Sequence, residues 1–239
     1  MTDYNVLAAG DTALIVDFGN QVDLNVSAKV LALAGRLDAL KIDGVIETVP
    51  TIRSLSIYYE PLAVSAIELE RQVADIIEHL EEAPVTGCTR DIPICYDPEL
   101  APDLEHVAAQ CNLDPAQVIE IHSSRTYHVY MLGFLPGLAY LGDLAQELVL
   151  PRRTTPRPRI PAGSLGIGGK LTCIYPMATP CGWHLIGRSP VSLWDATLAG
   201  GALLRAGDKV KFNPVSLREY RRMCSDAVIM AAPQADTSH

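Results

Sequence analysis

Residues 133–190 hold nine of the chain's 17 glycines and eight of its 17 prolines, in about a quarter of its length. Proline lacks the N–H that an interior helical turn needs, and glycine loses the most backbone entropy there, so no long helix can cross this segment. What it can build is short strands joined by tight loops. The apolar runs at 171–175 and 183–186 read as two such strands, and 209–212, entered through the turn Ala206-Gly207-Asp208, reads as a closing one. Together they predict a small β-barrel.

The chain ahead of this segment has a different rhythm. Apolar, β-branched runs at 4–8 and 12–18 flank the turn Gly10-Asp11 and predict two strands. Asp23 can cap a helix whose apolar face is Val26, Val30, Leu33, Leu37 and Leu40, with Gly44 suiting its end. Two more strands (45–49 and 55–59) precede a second helix that carries Ile67, Val73, Ile76, Ile77 and Leu80 on one face. The order ββαββα predicts an α+β domain over 1–85, with both helices on one side of a sheet. Pro84 and Gly87 mark a linker within the polar stretch 82–89. The second domain, 86–225, opens with a strand at 91–96. Two short helices follow, one marked by Leu104, Val107 and Ala108, the other capped by Asp114 with Pro115 in its first turn, and then a strand at 127–132. The end, 226–239, reads as a mobile tail.

With 28 acidic against 19 basic residues, the net charge is -9. An acidic chain lacks the clustered cations that general nucleic-acid binding requires. The first residues show no basic stretch followed by an apolar one, and no apolar run is long enough to span a bilayer. The expectation is a cytoplasmic protein with neither nucleic-acid nor membrane partners. Against this background, Glu147 and Asp195 bracket a stretch with no acid at all, which carries Arg152, Arg153, Arg157, Arg159, Lys170 and Arg188. Ring-locked prolines keep these cations from drifting apart. Arginine offers a planar fork that matches carboxylate or phosphate oxygens. The stretch reads either as an anion site or as a cationic rim that meets solvent or an acidic partner.

Chemical motifs are few. The six cysteines form no CxxC pair, so they read as reduced and buried, and no metal site is predicted. The run Gly163-Ser-Leu-Gly-Ile-Gly-Gly-Lys170 departs from a phosphate-binding GxxxxGK[ST] loop, because Ser164 replaces the first Gly, Leu171 replaces the final Ser/Thr, and a strand follows where a helix should. Ser164 in Ala162-Gly-Ser-Leu-Gly166 lacks the βα repeats of a hydrolase around it and reads as a turn residue. Cys181 and His184 leave a turn together, and Cys181 reads as structural. His122 and His128 flank a tyrosine-rich strand, where each is either an acid–base group or a satisfied structural residue.

Several linked blocks resemble one family. They are His122-Ser-Ser-Arg-Thr-Tyr127-His-Val-Tyr130-Met-Leu-Gly133-Phe134-Leu-Pro136-Gly137-Leu-Ala-Tyr140-Leu-Gly142, then Pro151-Arg152-Arg153-Thr-Thr-Pro156-Arg157, then Ile160-Pro-Ala-Gly163-Ser-Leu-Gly-Ile-Gly168, and last Ile174-Tyr-Pro176 with Pro180-Cys-Gly182-Trp183-His-Leu-Ile-Gly-Arg188. Ala9-Gly10-Asp11 and Val49-Pro50 through Arg53-Ser54-Leu55 extend the match upstream. The chain is similar to the family of 5-oxoprolinase B subunits, also called the KipI or allophanate hydrolase subunit 1 family, over most of residues 4–215. It departs from the family pattern at Leu138, where an aromatic is common, and at Cys173 and Cys181, where Gly is usual.

The resemblance implies an α+β N-terminal domain followed by a mainly β, cyclophilin-like barrel domain. It implies ATP-dependent opening of 5-oxo-L-proline to L-glutamate, with ATP and its Mg, by a complex in which this chain alone is inactive. The implied partners are a second cyclophilin-like protein (the C subunit of 5-oxoprolinase, KipA-like) and a LamB/YcsF-like A subunit. Within that reading His122 is the acid–base candidate. Arg152, Arg153, Arg157 and Arg188 are the anion-binding candidates, and Tyr127, Tyr130 and Tyr140 line the pocket. Gly133, Phe134, Pro136, Gly137, Gly163, Gly182 and Trp183 shape its loops. The same family admits two alternatives, an inhibitor of a sensor histidine kinase and a carboxyltransferase component of urea or allophanate metabolism. The latter needs a biotin carrier, and this chain has no Met-Lys biotinylation signature.

Overall fold

Asp23 and Ser65 each turn a side-chain oxygen onto the free N–H groups that begin a helix, and the two helices so capped belong to the first of two units. The structure, a computed structural model, describes residues 4–80, 87–197 and 200–231. The first unit comprises Met1–Cys88 with Arg205–Asp208, and the second comprises Thr89–Leu204 with Lys209–His239.

In the first unit, β1 (Asn5–Ala8), β2 (Ala13–Asp17), α1 (Leu24–Leu40), β3 (Val45–Pro50), β4 (Ser54–Tyr59) and α2 (Ala66–Glu78) follow in order. The strands form an antiparallel sheet in the order β1-β2-β4-β3. Period-2 residues Leu14, Val16, Leu55 and Ile57 meet Val30, Leu33 and Leu37 of α1 and Leu69, Val73 and Ile77 of α2 in one core. Two expectations need correcting. Ile67 lies in the first turn of α2 and is 82% exposed, and Leu69 takes the core position instead. Helix α1 ends at Lys41, held in the left-handed region at φ 47°, before Gly44 is reached. Residues 81–86, most of the expected linker, lie outside the described residues.

The second unit runs through β5 (Thr89–Ile94), α3 (Leu104–Cys111), α4 (Pro115–Ser123), β6 (Thr126–Leu132), β7 (Ala139–Leu141), β8 (Arg157–Ile160), β9 (Ser164–Gly168), β10 (Leu171–Ile174), β11 (Thr179–Cys181), β12 (His184–Arg188), β13 (Lys209–Pro214) and α5 (Leu217–Ala231). Seven strands share a sheet in the order β12-β9-β10-β7-β6-β13-β5, and β8 pairs with β11 separately. Cys95 and Arg188 exchange backbone hydrogen bonds of 2.8 and 2.9 Å, which brings the two ends of the sheet order together and curls it. Helices α3 and α4 close the main core, where Leu104, Val107 and Val118 meet Ile92, Leu165, Ile167, Ile186 and Phe212. Strands β9 and β10 form a hairpin, and Ser164 donates to the carbonyl of Pro161, so the Gly163–Lys170 run is no phosphate loop. The start of the expected tail is the end of α5, and 232–239 lie outside the described residues. No helix among the described residues is long and apolar enough to cross a membrane.

Candidate functional site

A second, smaller core lies under the Gly/Pro-rich loops, built from Leu138, Ile160, Cys173, Tyr175, Cys181, Trp183 and Leu185. A cavity of about 150 Å³ opens against it. Its walls are aromatic. The rings of Tyr140 and Tyr175 stand edge-on to Trp183, with centroids 6.1 and 6.5 Å away. The Trp183 ring itself lies over Gly168, where an added Cβ would come within 2.8 Å of it. Arg152 places its guanidinium carbon 5.6 Å from the centre of the Trp183 ring, and it is the only charged side chain among the described lining residues. Phe134 lines the cavity too. It is 67% exposed and sits at φ 70°, a left-handed conformation that costs a bulky residue about 1 kcal/mol or more.

The remaining wall includes two thiols and the Tyr175 phenol. The Cys181 thiol donates to the Tyr175 hydroxyl at 3.2 Å, while Cys181 Sγ accepts the Trp183 N–H at 3.2 Å. Burial pushes the Cys173 thiol and the Tyr175 hydroxyl far up, so neither ionises near neutrality. The cavity can therefore take a small molecule with an apolar body and one anionic group, the latter facing Arg152.

The arginine segment divides. Arg157 gives two hydrogen bonds to the buried carboxylate of Asp103, at 2.8 and 2.7 Å, and Arg153 adds a third at 3.1 Å. Asp103 also accepts the Leu185 N–H at 2.7 Å. Burial would raise its pKa, but the Arg157 fork and these other donors outweigh that and hold it below the ordinary carboxylate range. The anion expected for Arg157 is thus supplied by the chain itself, from α3's N-terminal flank, and Arg157 does not line the cavity. Arg188 is also apart, beside Cys95 where the sheet curls.

The expected acid–base group is displaced as well. His122 is wholly buried, with Nδ1 2.9 Å from the Tyr96 hydroxyl and Nε2 3.2 Å from Thr172 Oγ1, and its ring stacks on Phe212 at 4.9 Å. Thr172 passes its own proton to the Gly166 carbonyl at 3.0 Å, so Nε2 carries the imidazole proton and Nδ1 accepts from Tyr96. Burial pushes His122 down to about 3. With no opening to solvent and both nitrogens engaged, it joins α4 to β10 rather than serving a substrate. Tyr127 donates to the His122 carbonyl at 2.7 Å, and Tyr130 points to Asp143 at 3.4 Å; both are core residues, away from the cavity.

Of the loop residues, Gly137 and Gly163 hold φ of 77° and 78° against the Leu193 and Ser189 carbonyls, positions that exclude a side chain. Gly133 and Pro136 lie in the same turn as Phe134. A Cβ at Gly182 would meet only Pro156, at 3.8 Å. So Tyr140, Arg152, Trp183, Phe134 and Gly182 converge, while His122, Tyr127, Tyr130, Arg157 and Arg188 do not. Sequence reasoning missed Tyr175 and Asp103. Tyr175 lay inside a matched block, and the surplus of cations without local acids was the one sign that a distant carboxylate must face them.

The chain is similar to known proteins over most of its length. The family described as carboxyltransferase domain, subdomain C and D, matches residues 4–204. The 5-oxoprolinase B subunit of Bacillus subtilis (strain 168) is 38% identical over 231 residues, 91% of this chain and 95% of that protein. The protein of the same name from Escherichia coli O157:H7 is 41% identical over 208 residues, covering 86% and 93%. Among solved structures, TTHA0988 superposes with a TM-score of 0.76 at 33% identity over 85% of this chain, which spans only 40% of that protein. PH0987 from Pyrococcus horikoshii matches over 90% of this chain and all of its own, at 38% identity and a TM-score of 0.55.

Proposed function

The chain belongs to the carboxyltransferase subdomain C and D family, among the 5-oxoprolinase B subunits, and on that premise we propose that it serves an assembly that opens 5-oxo-L-proline to L-glutamate with ATP. The observation that carries this reading is the 38–41% identity to proteins of that one name over nearly their whole lengths. The cavity supports it. 5-Oxoproline is a small five-membered lactam bearing one carboxylate, and the pocket pairs aromatic walls with the single guanidinium of Arg152 among its described lining residues.

A lactam is a poor electrophile. Transfer of the γ-phosphoryl of ATP to its carbonyl oxygen releases ADP and activates the carbon. Water then adds, the C–N bond breaks, and glutamate and inorganic phosphate leave. Arg152 would hold the substrate carboxylate, and Trp183, Tyr140 and Tyr175 would seat the ring and exclude water. Among the described residues no group of three or more His, Cys, Asp or Glu is placed to hold a metal ion, so magnesium would arrive on the nucleotide with its other ligands from elsewhere. A C subunit with the related cyclophilin-like barrel and a LamB/YcsF-like A subunit would complete the enzyme.

The carboxyltransferase alternative has thinner support, since the urea amidolyase of Saccharomyces cerevisiae is 23% identical and this chain spans 14% of it. Co-purification with its natural partners, followed by assay of glutamate release from 5-oxoproline with ATP, separates the readings. A stable complex that turns over a urea derivative and leaves 5-oxoproline untouched would sink the proposal.

A further inference from the structure

Among the described residues, four other than glycine hold a positive φ, and three of them have a local reason for it. Lys41 and Asn112 end α1 and α3, where each returns its N–H to a carbonyl of the last turn in a left-handed cap. Asp143 is of a type that tolerates the conformation, and its carbonyl accepts the Arg125 Nε–H at 3.1 Å. Phe134, at φ 70°, has no such role. The turn between β6 and β7 is closed by the Gly133 N–H on the Leu138 carbonyl and the Leu138 N–H on the Leu135 carbonyl, both at 3.1 Å, and Phe134 takes part in neither bond. Its neighbours hold the turn in place. Leu135 and Leu138 pack in the smaller core, and Gly137 lies against the Leu193 carbonyl.

The Phe134 ring gains little by folding either. At 67% exposed, the residue leaves most of its apolar surface in water. Glycine, which the same turn carries at 133 and 137, would suit this backbone better. A conformation that folding does not reward, yet the surroundings hold, is characteristic of a ligand contact. The cavity adjoins it. Exposed lining residues mark the cavity's mouth, and these are Phe134, Arg152 and Pro180. At about 150 Å³ the cavity is the size of a single ring, with Tyr140, Tyr175 and Trp183 as its aromatic walls. Two of those walls are fixed. Trp183 rests on Gly168 and Tyr175 on Gly166, where an added Cβ would come within 2.8 and 3.3 Å of their rings. Adjustment to what enters therefore falls to the mouth, and of its three residues Phe134 alone has a large apolar side chain.

We infer that Phe134 is the cover of this cavity. Its ring turns over a bound cyclic carboxylate and shields it from water, and the preset backbone presents that ring at the mouth before the ligand arrives. It is thus a specificity-determining contact that favours a ring over an open chain. That the ligand is 5-oxoproline rests on the reading above; that Phe134 covers a ring there does not.

The chain has three phenylalanines, and Phe18 and Phe212 are buried. The full chain labelled with 4-fluorophenylalanine therefore reports each ring separately by ¹⁹F NMR, with the Phe134 signal identified by its loss in Phe134→Leu. Titration with 5-oxoproline, and with cyclopentanecarboxylate as a ring and carboxylate without the lactam, should move that signal saturably. Its shift between H₂O and D₂O, which reports exposure, should shrink, while the other two signals stay still. A response to cyclopentanecarboxylate alone supports the cover and counts against the 5-oxoproline reading, so the two fail separately. In Phe134→Gly the dissociation constant of the responding ligand, measured by calorimetry, should rise about ten-fold as the covering apolar surface is lost. Its urea midpoint should be no lower than the parent's, because glycine relieves the left-handed backbone. Three results overturn the inference: no saturable response to either ligand in the millimolar range, equal movement of all three signals, or a Phe134→Gly chain that loses stability while its ligand affinity is unchanged.

Discussion

Arg157 and Arg152 belong to one short basic segment, yet the fold gives them opposite surroundings. Arg157 closes on a buried carboxylate with two short hydrogen bonds and so fastens β8 to the flank of α3 and to β12. Arg152 lies over an indole face beside a cavity, with no carboxylate on it among the described contacts. The difference teaches that a run of like cations is not one functional object. Each guanidinium is assigned by what faces it, and the Asp103 carboxylate engages both terminal nitrogens of Arg157.

That contrast sets the expected order of effects. Asp103→Ala should be the most damaging change, because it leaves Arg153 and Arg157 without their carboxylate and the Leu185 N–H without its acceptor. Urea unfolding should register a loss of about 3–5 kcal/mol. If Asp103→Ala were as stable as the parent, the division between the two arginines would collapse.

Arg152→Ala should do the reverse. Its unfolding free energy should stay near that of the parent, since the side chain is exposed, while use of 5-oxoproline by the assembled enzyme falls about ten- to hundred-fold. Arg157→Ala sharpens the point, for its loss should appear in the unfolding curve of the isolated chain. Substrate use lost at unchanged stability would return Arg157 to the ligand.

Acid should probe the core histidine next. His122 titrates at about 3 in the folded chain against an ordinary value of 6.5. Between those values the unfolded chain binds a proton that the folded chain refuses, so stability is complete above 6.5 and declines as pH falls. Roughly 2 kcal/mol should be lost between pH 7 and pH 5. His122→Gln should flatten that slope, with His128, also lowered by burial, supplying the rest. An unchanged slope in the variant would show that His122 is not buried as neutral imidazole. The smallest effect should come from Cys181→Ala. Its thiol is a wall residue engaged by Tyr175 and the Trp183 N–H, so assembled activity should remain within about three-fold, and a loss of orders of magnitude with the fold intact would point to thiol chemistry.

Local sequence carried much of this architecture because its signals are short-range. Asp23, Asp114-Pro115 and the alternation of Leu14, Val16, Leu55 and Ile57 each act within a few residues of themselves. What stayed hidden depends on pairs far apart in the chain. Asp103 meets Arg157 across 54 positions, and His122 meets Thr172 across 50. A histidine beside a tyrosine-rich strand looks the same on paper whether it faces a cavity or Phe212. Helix α5 was missed because its sequence is polar and ends among small residues. The cavity was half legible, as Tyr140, Arg152 and Trp183 lay in matched blocks whose meeting only the curled sheet reveals.

Strand β13 has a consequence for how the chain is made. It lies between β6 and β5, pairing Lys209 with both Thr89 and His128, although it is translated after every other strand. As the chain leaves the ribosome, β5 and β6 wait with open edges until residues near 209 emerge, and the first unit waits in the same way for Arg205–Asp208. Pairings so distant in sequence form slowly, and waiting edges invite other chains. A nascent chain stalled before Lys209 should therefore be seized by holdase chaperones or lost to aggregation, and release of the last strand becomes the event that commits the second unit to its native state.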